Sequence, residues 1–381
     1  MKTIMSRHFP PLPIQITYEE NSSLRSKDLS RVLAALKRPD RIRGIAFTGS
    51  PEDFSKLFKA TKCPFPALES LKLCGRFYKT LKIPVTFLKG SDLHLQTLSL
   101  HYISPSSISR FLSFKPTLTH LDITINSYDG PEPTKPEKNS LSKLTSFRYR
   151  GHSTFLNTLI TEVAAPSLRE VDIQLHDKTL PPIPYFPQFI NDINDIKKHC
   201  HAVQLSLDIY HIRLSLLSHS EYADSEYAGH HLPRFRLRFF HSPGSVMQMS
   251  GAIYSKLSTA EELSVVFLDD AVPDEDIIPW RKFFLQFPSA KVLRMYGTNG
   301  TTNLYIAGAF HQDHESLNLA FLPALEKIEF CMGSKYRHPE NQCASELAAF
   351  EPFVLARQQA GLPVKIVATR GNLVDLIMQE R

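Results

Sequence analysis

The sequence predicts an α/β repeat array in which short parallel strands line one side and helices and loops cover the other. Three observations lead there. An apolar triplet at offsets 0, 3 and 5 recurs eleven times in phase, with offset zero at residues 42, 68, 95, 118, 144, 168, 202, 232, 260, 290 and 325. Between the triplets the apolar spacing changes from the period of a strand to that of a helix. The chain has 381 residues, more than one globular core usually supports, and a repeat read in phase favours an elongated array over two unrelated cores.

Each triplet reads as a strand with one buried face, because apolar offsets 3 and 5 alternate with polar neighbours. The clearest example is Leu68/Leu71/Leu73, followed by Leu95/Leu98/Leu100 and Leu118/Leu121/Ile123, and the series runs on to Leu325/Ile328/Phe330. Leu71, Leu98, Leu121, Leu205 and Leu293 are expected to be equivalently buried. A proline often precedes the triplet, as at Pro66, Pro166, Pro288 and Pro323. Proline cannot donate to a ladder, so it is expected to mark where the strand starts. Leu12, Ile14 and Ile16 alternate like one further strand.

Helices are expected between the strands. Ser50-Pro51-Glu52-Asp53 combines an N-cap residue, a proline at the first helical position and acids in the first turn, with Phe54, Leu57 and Phe58 on one face. Leu29, Val32, Leu33 and Leu36 form a second stripe, Phe189, Ile193, Ile196 and Cys200 a third, and Trp280, Phe283, Phe284 and Phe287 a fourth. All four read as core. The polar, proline-rich stretches at 128–139 and 180–184 read as loops too short to separate domains. The expected organisation is a single domain over 1–381: a strand and helix in 1–41, eleven repeats between 42 and 335, and a cap in 341–381 carrying Leu347, Phe350, Phe353 and Val354. Steps of 34 and 35 residues predict local irregularity.

A strand followed by a helix or turn every 20–30 residues resembles the leucine-rich repeat, and the resemblance implies an irregular horseshoe-shaped solenoid with its strands on the concave face. The chain departs from that family at the position three residues beyond the strand, where Asn126 matches but His152, His176 and Thr298 do not. Longer phrases, among them GHSTFLNTLI, APSLREVDIQL and IIPWRKFFLQFPSAKVLRMYG, resemble the repeat region of the F-box-like proteins of mushroom-forming fungi, over roughly 12–335. That resemblance implies the substrate-reading half of a ubiquitin-ligase receptor. No F-box is evident ahead of Leu12, so a ligase adaptor is expected as a partner only if an F-box lies upstream.

Composition narrows the function classes. Apolar content of 42% with 22% charged residues fits a folded protein. The net charge of +6 comes from Lys and Arg scattered among nearly as many acids, which disfavours nucleic acid as the partner. No stretch is apolar enough for a signal-peptide core or a membrane span, and the five cysteines form no CxxC pair, so a cytoplasmic or nuclear protein with reduced thiols is expected. His311-Gln312-Asp313-His314-Glu315 is the densest group of potential ligands, but nothing nearby completes a metal site. The nucleophile-elbow and phosphate-loop motifs are absent. No catalytic residue, cofactor or metal is expected.

The expected activity is therefore protein binding, with two settings open: a ubiquitin-ligase receptor, or a regulatory repeat protein independent of ubiquitin. Because strand side chains alternate, offsets 2, 4 and 6 point away from the core. At offset 4 the charged candidates are Lys72, Asp122, Arg148, Asp172, Arg236 and Arg294. Asp122, Arg148 and Asp172 would be neighbours that neutralise one another. Arg236 is expected between Ser206 and Ser264, leaving it to meet an acidic segment of a protein ligand, with Arg148 and Arg294 as companions.

Overall fold

The computed structural model describes residues 12–20, 27–61, 63–76, 80–84, 86–88, 94–112, 117–126, 139–177, 183–193, 200–207, 211–217, 235–240, 245–267, 280–297, 306–308, 310, 321–332 and 339–370. The chain is mixed α/β with mostly parallel strands, and it divides into two compact units, Met1–Leu168 and Arg169–Arg381.

The first unit runs β1 (Ile14–Glu19), α1 (Lys27–Ala35), a 3-10 turn (Pro39–Arg41), β2 (Ile42–Gly49), α2 (Pro51–Ala60), β3 (Ser70–Gly75), β4 (Thr97–His101), α3 (Pro105–Leu112), β5 (His120–Thr124), β6 (Asn139–Ser140), β7 (Ser146–Gly151), α4 (Ser153–Glu162) and β8 (Val163–Ala164). Strands β1, β2, β3, β4, β5 and β7 pair in that order, all parallel, and β6 and β8 form a separate parallel pair. The repeat pattern and the ladder share one register. Ile16, Ile45, Leu71, Leu98, Leu121 and Phe147 stand side by side on successive strands, each at 5% exposure or less.

The prolines act one step earlier than the sequence suggests. Pairing starts four residues after Pro66, Pro166, Pro288 and Pro323, and each proline sits instead in a turn. The amide of the offset-zero residue donates back across that turn: Leu68 to Phe65, Leu168 to Ala165, Ala290 to Phe287 and Leu325 to Leu322, at 3.0–3.2 Å. Proline suits the second position of a β-turn because its φ is preset and its missing donor is not needed there. The next amide then opens the ladder, as Glu69 N to Arg43 O and Lys291 N to Glu261 O do. Offset zero is thus the hinge between turn and strand, and an apolar side chain there packs into the core.

Helix α2 begins as its sequence requires, with Ser50 Oγ accepting from the Asp53 amide at 3.3 Å and Pro51 in the first turn. Phe54 and Leu57 are fully buried. The His152 side chain spans one repeat to reach the Asn126 carbonyl at 3.1 Å. It therefore reaches a part-buried carbonyl from the position three residues beyond its strand core.

The second unit runs β9 (Glu170–Leu175), α5 (Phe186–Asp192), β10 (Ala202–Leu207), β11 (His211–Leu217), β12 (Phe235–Phe240), α6 (Ser245–Ala252), α7 (Tyr254–Leu257), β13 (Glu262–Phe267), α8 (Trp280–Phe284), β14 (Val292–Gly297), β15 (Lys327–Met332), α9 (Pro339–Gln359) and β16 (Lys365–Arg370). Its strand order is β9-β12-β11-β10-β13-β14-β15-β16. The expectation of strictly sequential, parallel strands fails here: β11 lies antiparallel to both β10 and β12, while the other pairs are parallel. The cause is local. Three residues, 208–210, separate β10 from β11, enough for a hairpin but far short of the dozen that a parallel crossover needs. With β11 filling the place beside β10, β12 pairs with β9 instead.

Two smaller corrections concern phase and length. Gln204, not Ser206, stands opposite Ser264, so the repeat at 202 is offset by two residues; an even slip keeps the same side chains inward. Helix α5 ends at Asp192 with Ile193 already extended, so the stripe expected through Phe189, Ile193, Ile196 and Cys200 is not continuous at Ile193; Ile196 lies outside the described residues. Pro187 starts the helix a turn early, so Phe186, Ile190 and Ile193 are the buried set.

The cap at 341–381 contains a long helix, α9, and one further parallel strand, β16. Phe350 of α9 meets Phe330 and Phe310, with ring centroids 5.5 and 5.2 Å apart. Arg357 of the same helix is 3% exposed and donates to the carbonyls of Leu322, Pro323 and Leu325 at 3.3, 3.2 and 2.9 Å. The Leu322 carbonyl also accepts from the Leu325 amide across the turn before β15, so the guanidinium adds to that turn and ties α9 to it.

Candidate protein-binding surface

Helices cover the face formed by offsets 3 and 5. Phe54 of α2 meets Phe47 at 4.9 Å, Phe155 of α4 meets Tyr149 at 6.4 Å, and Trp280 of α8 meets Phe267 at 6.2 Å. The offset-4 side chains leave the strands on the opposite face, because side chains alternate.

In the first unit the offset-4 row is Thr17, Ala46, Lys72, Ser99, Asp122 and Arg148, in register across six strands. Lys72 is exposed, and Asp122 and Arg148 are half-buried. Asp122 has Arg148 as its register neighbour, as expected from sequence, and Arg148 is engaged within the protein. Asp122 also pairs with a residue outside the offset-4 row. His101 Nε2 lies 3.2 Å from Asp122 Oδ2 and 3.0 Å from Ser99 Oγ.

Burial alone would lower the His101 pKa, but the hydrogen bonds to Asp122 and Cys74 and the Asp122 charge outweigh it and raise it to about 9. Burial likewise pushes Asp122 up, yet the bond to His101 and the charges of His101, Arg148 and Arg150 hold it below the usual carboxylate range. His101 occupies offset 6 of its repeat, so the outward alternation would have found it had the whole row been followed.

In the second unit Arg294 sits between two acids. Its Nη1 lies 2.5 Å from Glu262 Oε2 on β13, and its Nε donates to Glu329 on β15. Lys327 also pairs with Glu329, and His201 Nε2 lies 3.4 Å from Glu262 Oε1. Burial raises the Glu329 carboxyl, but the bonds from Lys327 and Arg294 bring it below its ordinary value. Arg294 is therefore the centre of an ion network across three strands, with carboxylates of the chain itself in the role assigned to a ligand.

Arg236 is also placed differently from expectation. It stands between Asp172 on β9 and Ser215 on β11, rather than between Ser206 and Ser264. Asp172, assigned from sequence to a trio with Asp122 and Arg148, has Arg236 as its register neighbour, and both are engaged within the protein. The same rearrangement brings Arg213 of β11 directly opposite Arg238 of β12, and Arg238 Nη2 lies 3.2 Å from His211 Nδ1. The sequential order would also pair Arg234 with Glu262 and Arg238 with Asp208, but Arg234 and Asp208 lie outside the described residues; Glu262 lies against Arg294 and His201.

Among the described residues no group of His, Cys, Asp and Glu is placed to hold a metal ion; the 311–315 cluster lies outside them. Cys63, Cys74 and Cys200 are free thiols. Burial pushes the Cys200 thiol up to about 12, with the Lys256 charge only partly opposing it, so Cys200 is a poor nucleophile. Among the described residues no helix is long and apolar enough to cross a membrane. In comparisons with known proteins, no protein-family model and no curated protein matched the chain.

Proposed function

We propose that this chain is a non-catalytic protein-binding scaffold, built as a leucine-rich-repeat array and similar in role to the substrate-recognition part of F-box receptors, working in the cytoplasm or nucleus. The observation that supports the reading is the register of the outward row. Ala46, Lys72, Ser99, Asp122 and Arg148 recur at one position of successive repeats and stand side by side. A ladder of this kind offers a partner side chains at regular spacings of about 4.8 Å. Ser99 lies between Lys72 and Asp122 in this row, and Ala46 and, two residues before the row, Ser70 and Thr97 are small as well, which leaves room for a partner to approach the sheet closely.

Affinity capture with mass spectrometry on the full chain tests the proposal. Partners retained by the wild type should be lost with Lys72→Glu on the open face and kept with Lys56→Glu on α2. Loss with the helix variant and retention with Lys72→Glu would move binding to the opposite side. Recovery of a cullin-ligase adaptor with any longer gene product would place the scaffold in a ubiquitin ligase.

A further inference from the structure

Three outward side chains of the first unit carry chemistry that a binding face does not require. Cys74 stands at offset 6 of its repeat and is the register neighbour of His101 on β4, so the two side chains leave adjacent strands on the same face, about 4.8 Å apart. His101 is hydrogen-bonded to Cys74. Its Nε2 lies 3.2 Å from Asp122 Oδ2 on β5 and 3.0 Å from Ser99 Oγ on its own strand. A thiol, an imidazole and a carboxylate thus follow one another across three strands. Cys74 and His101 are both partly exposed. The thiol also lies 3.8 Å from the Gly75 carbonyl, a weak contact for an S–H donor.

We infer that Cys74 is a modification site, a thiol that hydroperoxides oxidise to sulfenic acid, with His101 as the proton donor of the reaction and Asp122 as a positioning residue. The inference goes beyond the scaffold reading and does not rest on it. The thiolate is the nucleophilic form of cysteine, and a protonated imidazole held against sulfur favours it. His101 carries that proton at neutral pH: burial opposes the charge, but the bonds to Asp122 and Cys74 and the Asp122 charge prevail and raise it to about 9. Arg148 and Arg150 of β7 act on the pair through Asp122, which they help to keep ionised.

The step balances within this group. The Cys74 sulfur attacks one peroxide oxygen, an S–O bond forms as the O–O bond breaks, and sulfur gives up two electrons. The departing hydroxide takes the proton of the His101 imidazolium and leaves as water, so that a neutral imidazole and a sulfenic acid remain. Cys200 is the contrasting thiol, because burial pushes it up to about 12. The product lies two residues from Lys72 on the same face, about 7 Å away, so oxidation marks the open face and leaves the core untouched.

The test treats the reduced full chain with limiting hydrogen peroxide in the presence of dimedone, which traps sulfenic acid, and follows the Cys74 and Cys63 adducts in one digest by mass spectrometry. Cys63 is the more exposed thiol, so accessibility alone would make it react first. The site instead requires trapping at Cys74 at least about tenfold faster than at Cys63 at pH 7. His101→Gln should lower the Cys74 rate at least about tenfold and Asp122→Asn at least about threefold, with Cys63 unchanged in both. At pH 10, above the His101 value and the ordinary thiol range, both variants should match the wild type within about twofold. Melting curves separate loss of the pair from loss of the fold, since in an unfolded chain the two cysteines react alike. No adduct at Cys74, or Cys63 reacting as fast as Cys74 in the wild type, would overturn the site. An unchanged Cys74 rate in His101→Gln at pH 7, or an equal loss at pH 7 and pH 10, would reduce His101 to a packing residue and overturn its role.

Discussion

Leu98→Ala is the sharpest test of the shared register. Leu98 is 0% exposed and stands between Leu71 and Leu121, themselves at 0% and 2%. The change deletes three carbons, worth about 2.4 kcal/mol of transfer free energy at about 0.8 kcal/mol per buried methylene. The hole cannot close by moving β4, because that strand is hydrogen-bonded to β3 on one side and β5 on the other. A residual cavity adds about 1–2 kcal/mol at about 24 cal/mol per Å³. The expected loss is therefore about 3–4.5 kcal/mol. Lys72→Ala, on the neighbouring strand but on the exposed face, should stay within about 0.5 kcal/mol of the wild type. Urea unfolding followed by far-UV circular dichroism measures both. The single tryptophan, Trp280, reports on the second unit, so a transition in the dichroism that the fluorescence does not share would locate the damage in the first. A Leu98→Ala midpoint equal to that of the wild type, or a Lys72→Ala loss as large as that of Leu98→Ala, would refute the assignment of inward and outward faces.

Three further outcomes are expected. His101 has its pKa raised to about 9 by Asp122 and Cys74 against burial, above an unfolded value of about 6.5. Its stabilisation is complete below pH 6.5 and disappears as the pH rises through 9, so His101→Gln should cost about 1–2 kcal/mol at pH 6, after allowance for partial exposure, and almost nothing at pH 10; a cost independent of pH would exclude the ion pair as its source. Arg294→Met should lose about 2 kcal/mol at pH 7, because Glu262 and Glu329 are left facing each other without their shared cation. As Glu329 is held below the usual carboxylate range, that cost should shrink as the pH falls through the carboxylate range, and chemical denaturation at pH 7 and pH 4 compares the two. Arg357→Met strips donors from three backbone carbonyls at a 3% exposed site and should cost about 3 kcal/mol, with faster hydrogen exchange in β15 and β16; unchanged exchange there would show that the clamp is not needed.

Within each unit, the strands that belong to the repeat were legible from residue order, because the information is local and repeated. A triplet such as Leu68/Leu71/Leu73 places its own strand, its own buried face and its own preceding turn, and ten of the eleven copies pair without a slip relative to the neighbours whose pairing is described. Helix α2 was equally local, since Ser50, Pro51, Phe54 and Leu57 carry its cap, its start and its buried stripe. Much of the candidate site was legible for the same reason: once the phase is known, alternation puts Lys72, Asp122, Arg148, Arg236 and Arg294 on the open face.

Which residues neighbour those side chains was not legible where pairing is non-local. Ile212, Leu214 and Leu216 alternate as clearly as any repeat strand, yet whether that strand runs parallel or antiparallel depends on the length of its connection, and which strand then occupies the next place depends on what is already filled. That competition put Asp172 and Ser215, instead of two serines, beside Arg236. Charge pairing followed the same rule. The partners of Arg294 come from two rows: Glu329 shares its offset on the next strand, whereas Glu262 belongs to a different offset and reaches it only through the lateral spacing of the strands. Residue order determined which side chains point outward; the strand order of the folded sheet decided which charges meet.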